Sequence, residues 1–317
     1  MLESTLNYII RPPTLGDLHA VVALVNDCSI AEGGRPDETP QNLLADWNTP
    51  GFVLATNAWV ATAPDGTIIG YEQVEVSDDD AHCELDGYVH PGFIGQGIGA
   101  GLLRLAEDRA RAVLAISEQR QPARLRGAIA AANASARRLF SDAGYHVVRH
   151  FWRMEIDLHT PPAPPIVPEG ISIRSFVPGH DERATHATIE AAFEDHWEHA
   201  PIAFEEWSRR QIQRNDFDPT FWFLATTGDE VVGTALCYAR SAGMGWVRGL
   251  GVRRSWRGRG LGLALLQQTF GAFYSHGRST IGLGVDAQSP TGATRLYQRA
   301  GMRVTEEYET YEKKLGM

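Results

Sequence analysis

The sequence predicts a mixed α/β (α+β) protein built from two copies of one domain, and three observations carry that prediction. A chain of 317 residues suits two domains of about 150 residues each. Unusual residues recur 163 positions apart: Arg11 with Arg174, Trp59 with Trp222, Gly70 with Gly233, Gly95 with Gly258, Gly97 with Gly260, Gly99 with Gly262, and Leu102 with Leu265. That period is far too long for a solenoid unit and marks a duplicated domain. Between the copies, Thr160-Pro161-Pro162-Ala163-Pro164-Pro165-Ile166-Val167-Pro168 can neither continue a helix nor occupy a central strand. The expected organisation is therefore a domain over residues 1–160, a proline-rich linker over 161–169, and a second domain over 170–317.

The elements follow in the same order in each copy. A short strand (Tyr8 to Arg11; Ile171 to Arg174) precedes helical patterning through Leu18 to Asn26 and Arg183 to Phe193. Phe52 to Thr62 and Thr67 to Val76 flank the turn Pro64-Asp65-Gly66, as Phe221 to Thr226 and Val231 to Tyr238 flank Gly228-Asp229, so each copy carries a hairpin. A fourth strand (Cys83 to Val89; Trp246 to Val252) enters a glycine-rich loop and then a helix. In the second copy Leu261, Leu265, Leu266 and Phe273 space that helix for one buried face. A fifth strand, Ile281-Gly282-Leu283-Gly284-Val285, precedes a short helix ending at Gly301, matched by Gly144 in the first copy.

Composition excludes several classes. Hydrophobic residues at 43% and charged residues at 21% support two packed cores rather than long disordered tails. No apolar run approaches a membrane span, and Met1-Leu2-Glu3-Ser4 lacks an export pattern, so the expectation is a cytoplasmic protein with no membrane partner. Cys28, Cys83 and Cys237 are odd in number and fit no metal-ligand spacing, so they read as ordinary thiols with no metal. The net charge of −10 disfavours nucleic acid and favours small cationic partners.

The loop of the second copy carries the chemistry. The fourth strand ends in Leu250-Gly251-Val252, and Arg257-Gly258-Arg259-Gly260-Leu261-Gly262 opens the helix. Glycines clear side chains from amides that must approach an anion, and a helix start adds about half a positive charge. The expected guest is a diphosphate. Dinucleotide loops follow the first strand of a βαβ unit, and nucleoside-triphosphate loops need Gly-Lys-Ser/Thr; neither context is met here.

The form R-G-x-G-x-G after a fourth strand resembles the acetyl-coenzyme A loop of the GNAT superfamily of N-acetyltransferases. The segment from Asp286 to Met302, with Ser289, Ala293, Leu296-Tyr297 and Gly301, is similar to the family's fifth-strand and following-helix signature, although Ser289 stands where asparagine is commoner. The resemblance covers nearly the whole chain, once per copy, as in tandem members whose C-terminal domain is catalytic. It implies that each copy is a mixed, mainly antiparallel sheet flanked by helices. It also implies acetyl-CoA as cofactor, held by Leu250, Gly251, Val252, Arg257, Gly258, Arg259, Gly260, Leu261, Gly262 and Ser289. The first copy keeps Gly95, Gly97 and Gly99 but has Ile94 in place of the arginine and Phe140 in place of Tyr297, so it reads as degenerate.

The resemblance further implies direct transfer, in which a neutral primary amine attacks the thioester. A backbone N–H near Leu250 to Val252 would polarise the carbonyl, with Gly251 suited to close backbone approach, and Tyr297 would protonate the leaving thiolate. Family members often carry a carboxylate base on the fourth strand, but Trp246-Val247-Arg248-Gly249 has none. His196, within Glu194-Asp195-His196-Trp197-Glu198-His199, titrates near neutrality and is the candidate base acting through water; a solvated helix end is the alternative reading of that cluster. Asp286 reads as ordering a loop. Glu84 and Asp86 of the first copy share one strand face, the placement a base would need. The expected reaction is acetylation of a small-molecule amine by a monomer or homodimer. An acyl-CoA-binding regulator without turnover, and an acetyltransferase acting on protein lysines or N-termini, stay open.

Overall fold

The structure is a computed structural model that describes residues 7–49, 51–76, 82–114, 124–214, 217–240 and 243–315. The opening Met1-Leu2-Glu3-Ser4 lies outside the described residues. Two compact units are present: Met1–His150 together with Glu306–Met317, and Phe151–Thr305.

In chain order the first unit contains β1 (Ile9–Arg11), α1 (Leu18–Ala31), α2 (Pro40–Trp47), α3 (Leu54–Asn57), β2 (Ala58–Thr62), β3 (Ile68–Val76), β4 (His82–Val89), α4 (Ile98–Leu114), β5 (Arg124–Ala130) and α5 (Ala134–Asp142). Then come β6 (His146–Asp157), β7 (Ser172–Ser175), α6 (Glu182–Phe193), α7 (Phe204–Gln211), β8 (Phe223–Thr227), β9 (Glu230–Ala239), β10 (Met244–Val252), α8 (Leu261–Ser275), β11 (Thr280–Asp286), α9 (Ala293–Arg299) and β12 (Arg303–Lys314). Strands of the first unit run in the order β1-β2-β3-β4-β5-β12, and those of the second β7-β8-β9-β10-β11-β6. The pairs β4·β5 and β10·β11 are parallel and the other strand pairs within each unit are antiparallel. The mixed, mainly antiparallel sheet is thus seen twice.

The sequence repeat and the compact units do not share a boundary. Residues Phe151–Asp157 of β6, encoded before the proline stretch, pair with β11 from Phe151↔Asp286 to Asp157↔Thr280. Residues Tyr308–Lys314 of β12, encoded at the end of the second copy, pair with β5 from Tyr308↔Ala130 to Lys314↔Arg124. The division at 161–169 therefore gives way to a crossover within β6 and another within β12. Prolines mark where the copied sequence restarts, whereas pairing is chosen by the edge each strand meets. The hairpins are shorter than expected, because Leu54–Asn57 is helical and Pro219–Phe221 forms a 3₁₀ turn.

Repeat positions do the same work in both units. Arg11 donates twice to Asp17, at 2.8 Å each, and Arg174 twice to Asp181, at 2.5 and 2.8 Å. On α8, Leu261, Leu265, Leu266, Phe270 and Phe273 are all buried against Cys237, Val247, Ile281 and Leu283. Full burial stabilises by about 1.5–3 kcal/mol per large apolar side chain. Phe273 also lies over Gly245, where a Cβ would stand 2.6 Å from its ring. Cys28, Cys83 and Cys237 are all buried. Among the described residues no helix is long and apolar enough to cross a membrane.

Candidate functional site

The site of the second unit opens where two parallel strands part. Register between β10 and β11 runs from Met244↔Thr280 to Val247↔Leu283 and stops there. β10 continues along β9 to Val252, with a shift between Val247 and Gly249 that makes Arg248 a bulge. Such an extra residue bends the strand and re-aims a side chain; here an exposed arginine is turned onto the cleft. On β4 the register to β3 is unbroken from Gly70↔Val89 to Val76↔Cys83.

A cavity of about 450 Å³ fills the opening. At one end lies the glycine turn. Gly258 and Gly260 have φ of +75° and +85°, a left-handed conformation that other residues adopt at a cost. Gly260 is the N-cap of α8, with no side-chain cap and no acidic residue in the first turn. The first-turn amides of Leu261, Gly262 and Leu263 lie at the cavity with no helical acceptor available to them. Bare amides at a helix start are a geometry suited to an anion. The third glycine serves packing instead. A Cβ on Gly262 would meet Leu296 at 3.0 Å, and one on Gly99 would meet Leu139 at 3.0 Å.

Both arginines of the turn bond neighbouring groups of the chain. Arg257 lines the cavity, but its Nε donates to Val252 O (3.1 Å), Nη1 to Asp195 (2.9 Å) and Nη2 to Ala192 O (2.9 Å). With three of its five N–H donors it fastens the turn to the end of β10 once and to the end of α6 twice. Arg259 lies outside the cavity lining, stacked over Trp256 at 4.7 Å and donating to Ser255 O. Leu250, Gly251, Val252 and Ser289 all line the cavity. Close backbone approach at Gly251 is made by α6, since a Cβ there would stand 2.9 Å from Ala192 and 3.0 Å from Ile189. Ser289 closes a short turn by bonding Thr291 at 2.9 Å.

Tyr297 on α9 is 8% exposed and borders the cavity. Its hydroxyl has no protein hydrogen-bond partner among the described residues, and burial pushes its pKa up to about 12. A phenol held there stays protonated across the neutral range. His196 sits in the turn after α6, half-buried, with its ring on Phe193 at 4.1 Å. Burial lowers its pKa, and the charge of Asp286 opposes that only in part, so its imidazole is neutral at neutral pH. Asp286 borders the same cavity and accepts the Gln288 N–H at 2.8 Å, the loop-ordering role expected of it. The polar cluster is not simply solvated: Asp195 pairs with Arg254 and Arg257, and His199 lies 3.4 Å from Glu190.

Sequence reasoning missed Phe151, which borders the cavity from β6 and contacts Trp197 at 6.3 Å. It belongs by sequence to the first copy, so only the strand exchange places it here.

The first unit repeats the turn and the parting of its parallel strands, since the β4·β5 register stops at Leu85↔Gly127, but it lacks the bulge. Gly95 and Gly97 both have φ of +83°. Phe140, which replaces Tyr297, is packed on Gly127, where a Cβ would stand 2.7 Å from its ring, and against Tyr145 and Tyr311 at 4.8 and 5.7 Å. Glu84 and Asp86 do share a face, opposite Glu75 and Gln73 of β3. Surrounding protein pushes Asp86 up to about 6, although its side chain still touches solvent. Glu72 was not singled out in the sequence; its Oε1 is buried with no hydrogen-bond partner, beside Gly87, and burial holds its carboxyl well above the ordinary range.

Comparison with known proteins agrees with this geometry. A family model described as "Acetyltransferase (GNAT) family" matches residues 185–302, and one described as "Acetyltransferase (GNAT) domain" matches 55–147. A mycothiol acetyltransferase of Thermobispora bispora is 35% identical over 296 residues, covering 91% of this chain and 93% of the relative. One from Streptomyces coelicolor is 32% identical over 248 residues, covering 78% and 76%. Among solved structures, a GCN5-related N-acetyltransferase from Sphaerobacter thermophilus superposes with a TM-score of 0.86 at 39% identity, covering 98% of this chain and 97% of that one. A tandem GNAT protein from the clavulanic acid biosynthesis pathway shares the fold, with a TM-score of 0.75 at 16% identity and coverage of 98% and 99%.

Proposed function

The chain belongs to the GNAT acetyltransferase family, and from that premise we propose that its second unit transfers an acetyl group from acetyl-CoA to the primary amine of a small molecule. One observation carries the reading: Tyr297, a buried side chain whose hydroxyl has no protein partner among the described residues, borders a cavity that also reaches the glycine turn and His196.

The residues present fit the cofactor. The first-turn amides of α8 and the side-chain-free Gly258 and Gly260 suit a diphosphate, and the parted strands leave room for a slender thiol-bearing arm. Acetyl-CoA supplies the activated acyl thioester. Around it the chain's own groups divide the work. Amides of Leu250 to Val252 lie where β10 has left β11 and serve to polarise a carbonyl. Tyr297 holds a proton for a leaving thiolate. His196, neutral at neutral pH, takes a proton from an incoming ammonium group directly or through water. Phe193 and Phe151 narrow the path and exclude water.

Relatives named for mycothiol support a small-molecule acceptor. The first unit is read as carrying no transfer, because Phe140 has no proton to give and sits packed on Gly127. A thioester-cleavage assay with acetyl-CoA and a panel of small amines is expected to show thiol release that depends on the amine. Cofactor binding with no turnover under any amine would leave the chain a regulator and sink the enzyme reading.

A further inference from the structure

We propose that Asp195 is a positioning residue that fastens the cofactor turn to the acceptor-side turn, so that ordering one orders the other; this rests on the reading of the site given above. Arg254 opens the 3₁₀ turn Arg254–Trp256 and Arg257 follows it, just before the glycines. Both reach the same carboxylate: Arg257 Nη1 donates to Asp195 Oδ2 at 2.9 Å, and Arg254 donates to Oδ1. Their charges hold that carboxyl below the ordinary range, with the Arg257 hydrogen bond foremost.

Asp195 is the residue next to His196, and His196 borders the cavity with its ring on Phe193. A shift of Asp195 therefore moves the imidazole. The far end of the turn is held separately: Glu190 accepts the Ile202 N–H at 3.2 Å and lies 3.4 Å from His199, while His186 bonds Ile202 O at 2.7 Å. Between the two anchors Glu198 adopts φ of +50°, a left-handed conformation that a non-glycine residue keeps only when its surroundings impose it. Arg257 has two further acceptors, Val252 O and Ala192 O, so loss of Asp195 frees the acceptor-side turn while the cofactor turn keeps its anchor. That asymmetry gives the proposal its signature.

Hydrogen exchange on the full chain, with coenzyme A as the probe, tests it. In the unaltered protein coenzyme A is expected to slow exchange of the amides of 257–263 and also of 194–198. In Asp195→Asn, and in Asp195→Ala as a second variant, protection of 257–263 is expected to persist. Protection of 194–198 should fall by about 5- to 150-fold, the usual span of coupling between sites. With an amine that supports turnover, KM for that amine should rise by more than kcat falls. Equal protection of 194–198 in the variants and the unaltered protein, or none in the unaltered protein while 257–263 is protected, would overturn the role of Asp195 and leave the proposed function standing. No protection at 257–263 in the unaltered protein would overturn the cofactor reading, and this proposal with it.

Discussion

Replacing Tyr297 by phenylalanine lowers kcat by about 10²- to 10⁴-fold, the usual contribution of a positioned acid, while coenzyme A binds as before. The ring that packs in the second core is retained, and the lost hydroxyl has no protein partner among the described residues, so folding should change little. Burial pushes the phenol from an ordinary value near 10 up to about 12. The sign follows: the folded chain favours the neutral phenol, so this group's contribution is full below pH 10 and is lost as pH rises from 10 through 12. Across the neutral range the proton is therefore in place. Steady-state kinetics with saturating acetyl-CoA, beside a calorimetric titration of coenzyme A, separates lost chemistry from lost binding. A variant that keeps its kcat would remove Tyr297 from the mechanism.

Ending the chain at Thr305 is expected to unfold the first unit, although the cut lies in sequence at the far end of the second copy. It removes the strand that pairs with β5, and with it Tyr311 and Leu315, both 4% exposed. Burial of each contributes about 1.5–3 kcal/mol. It also strips Glu312 from Arg126, an ion pair at 2.8 Å whose side chains are 7% and 5% exposed. Breaking one side of a buried pair costs about 3–5 kcal/mol as a rule. The sum is comparable to the 5–15 kcal/mol that holds a whole domain together. Near-ultraviolet circular dichroism and limited proteolysis should show residues 7–150 unprotected in the shortened chain. A protected first unit would mean that β12 is dispensable and the exchange incidental.

What the sequence showed and what it hid divide along physical lines. The glycine turn was legible because left-handed φ and bare amides need glycine, and its repetition 163 residues away left little room for accident. The buried face of α8 was legible because period 3.6 shows directly in Leu261, Leu265 and Leu266. β12 is hidden because its run Thr305-Glu306-Glu307-Tyr308-Glu309-Thr310 reads as solvated, whereas Glu309 meets Arg137 of α5. No local pattern tells a strand which sheet edge it will find. A loop cation beside glycines suggests an anion contact, and no local pattern shows that the carbonyl ends of α6 and β10 also bond the Arg257 guanidinium. Gly251 suggests close backbone approach, and only the fold shows that α6 is one of the neighbours it admits.

The central claim is that the backbone of Gly258 to Gly262 holds the diphosphate of coenzyme A. Calorimetric titration of coenzyme A into the full chain and into Gly260→Val tests it most directly. A β-branched residue at φ +85° is strained by about 1–2 kcal/mol and tilts the first-turn amides away from their common focus. The expected result is that the unaltered protein gives binding heat and the variant loses one equivalent of it. Binding of equal strength and stoichiometry in both proteins, or no heat in either, would contradict the account.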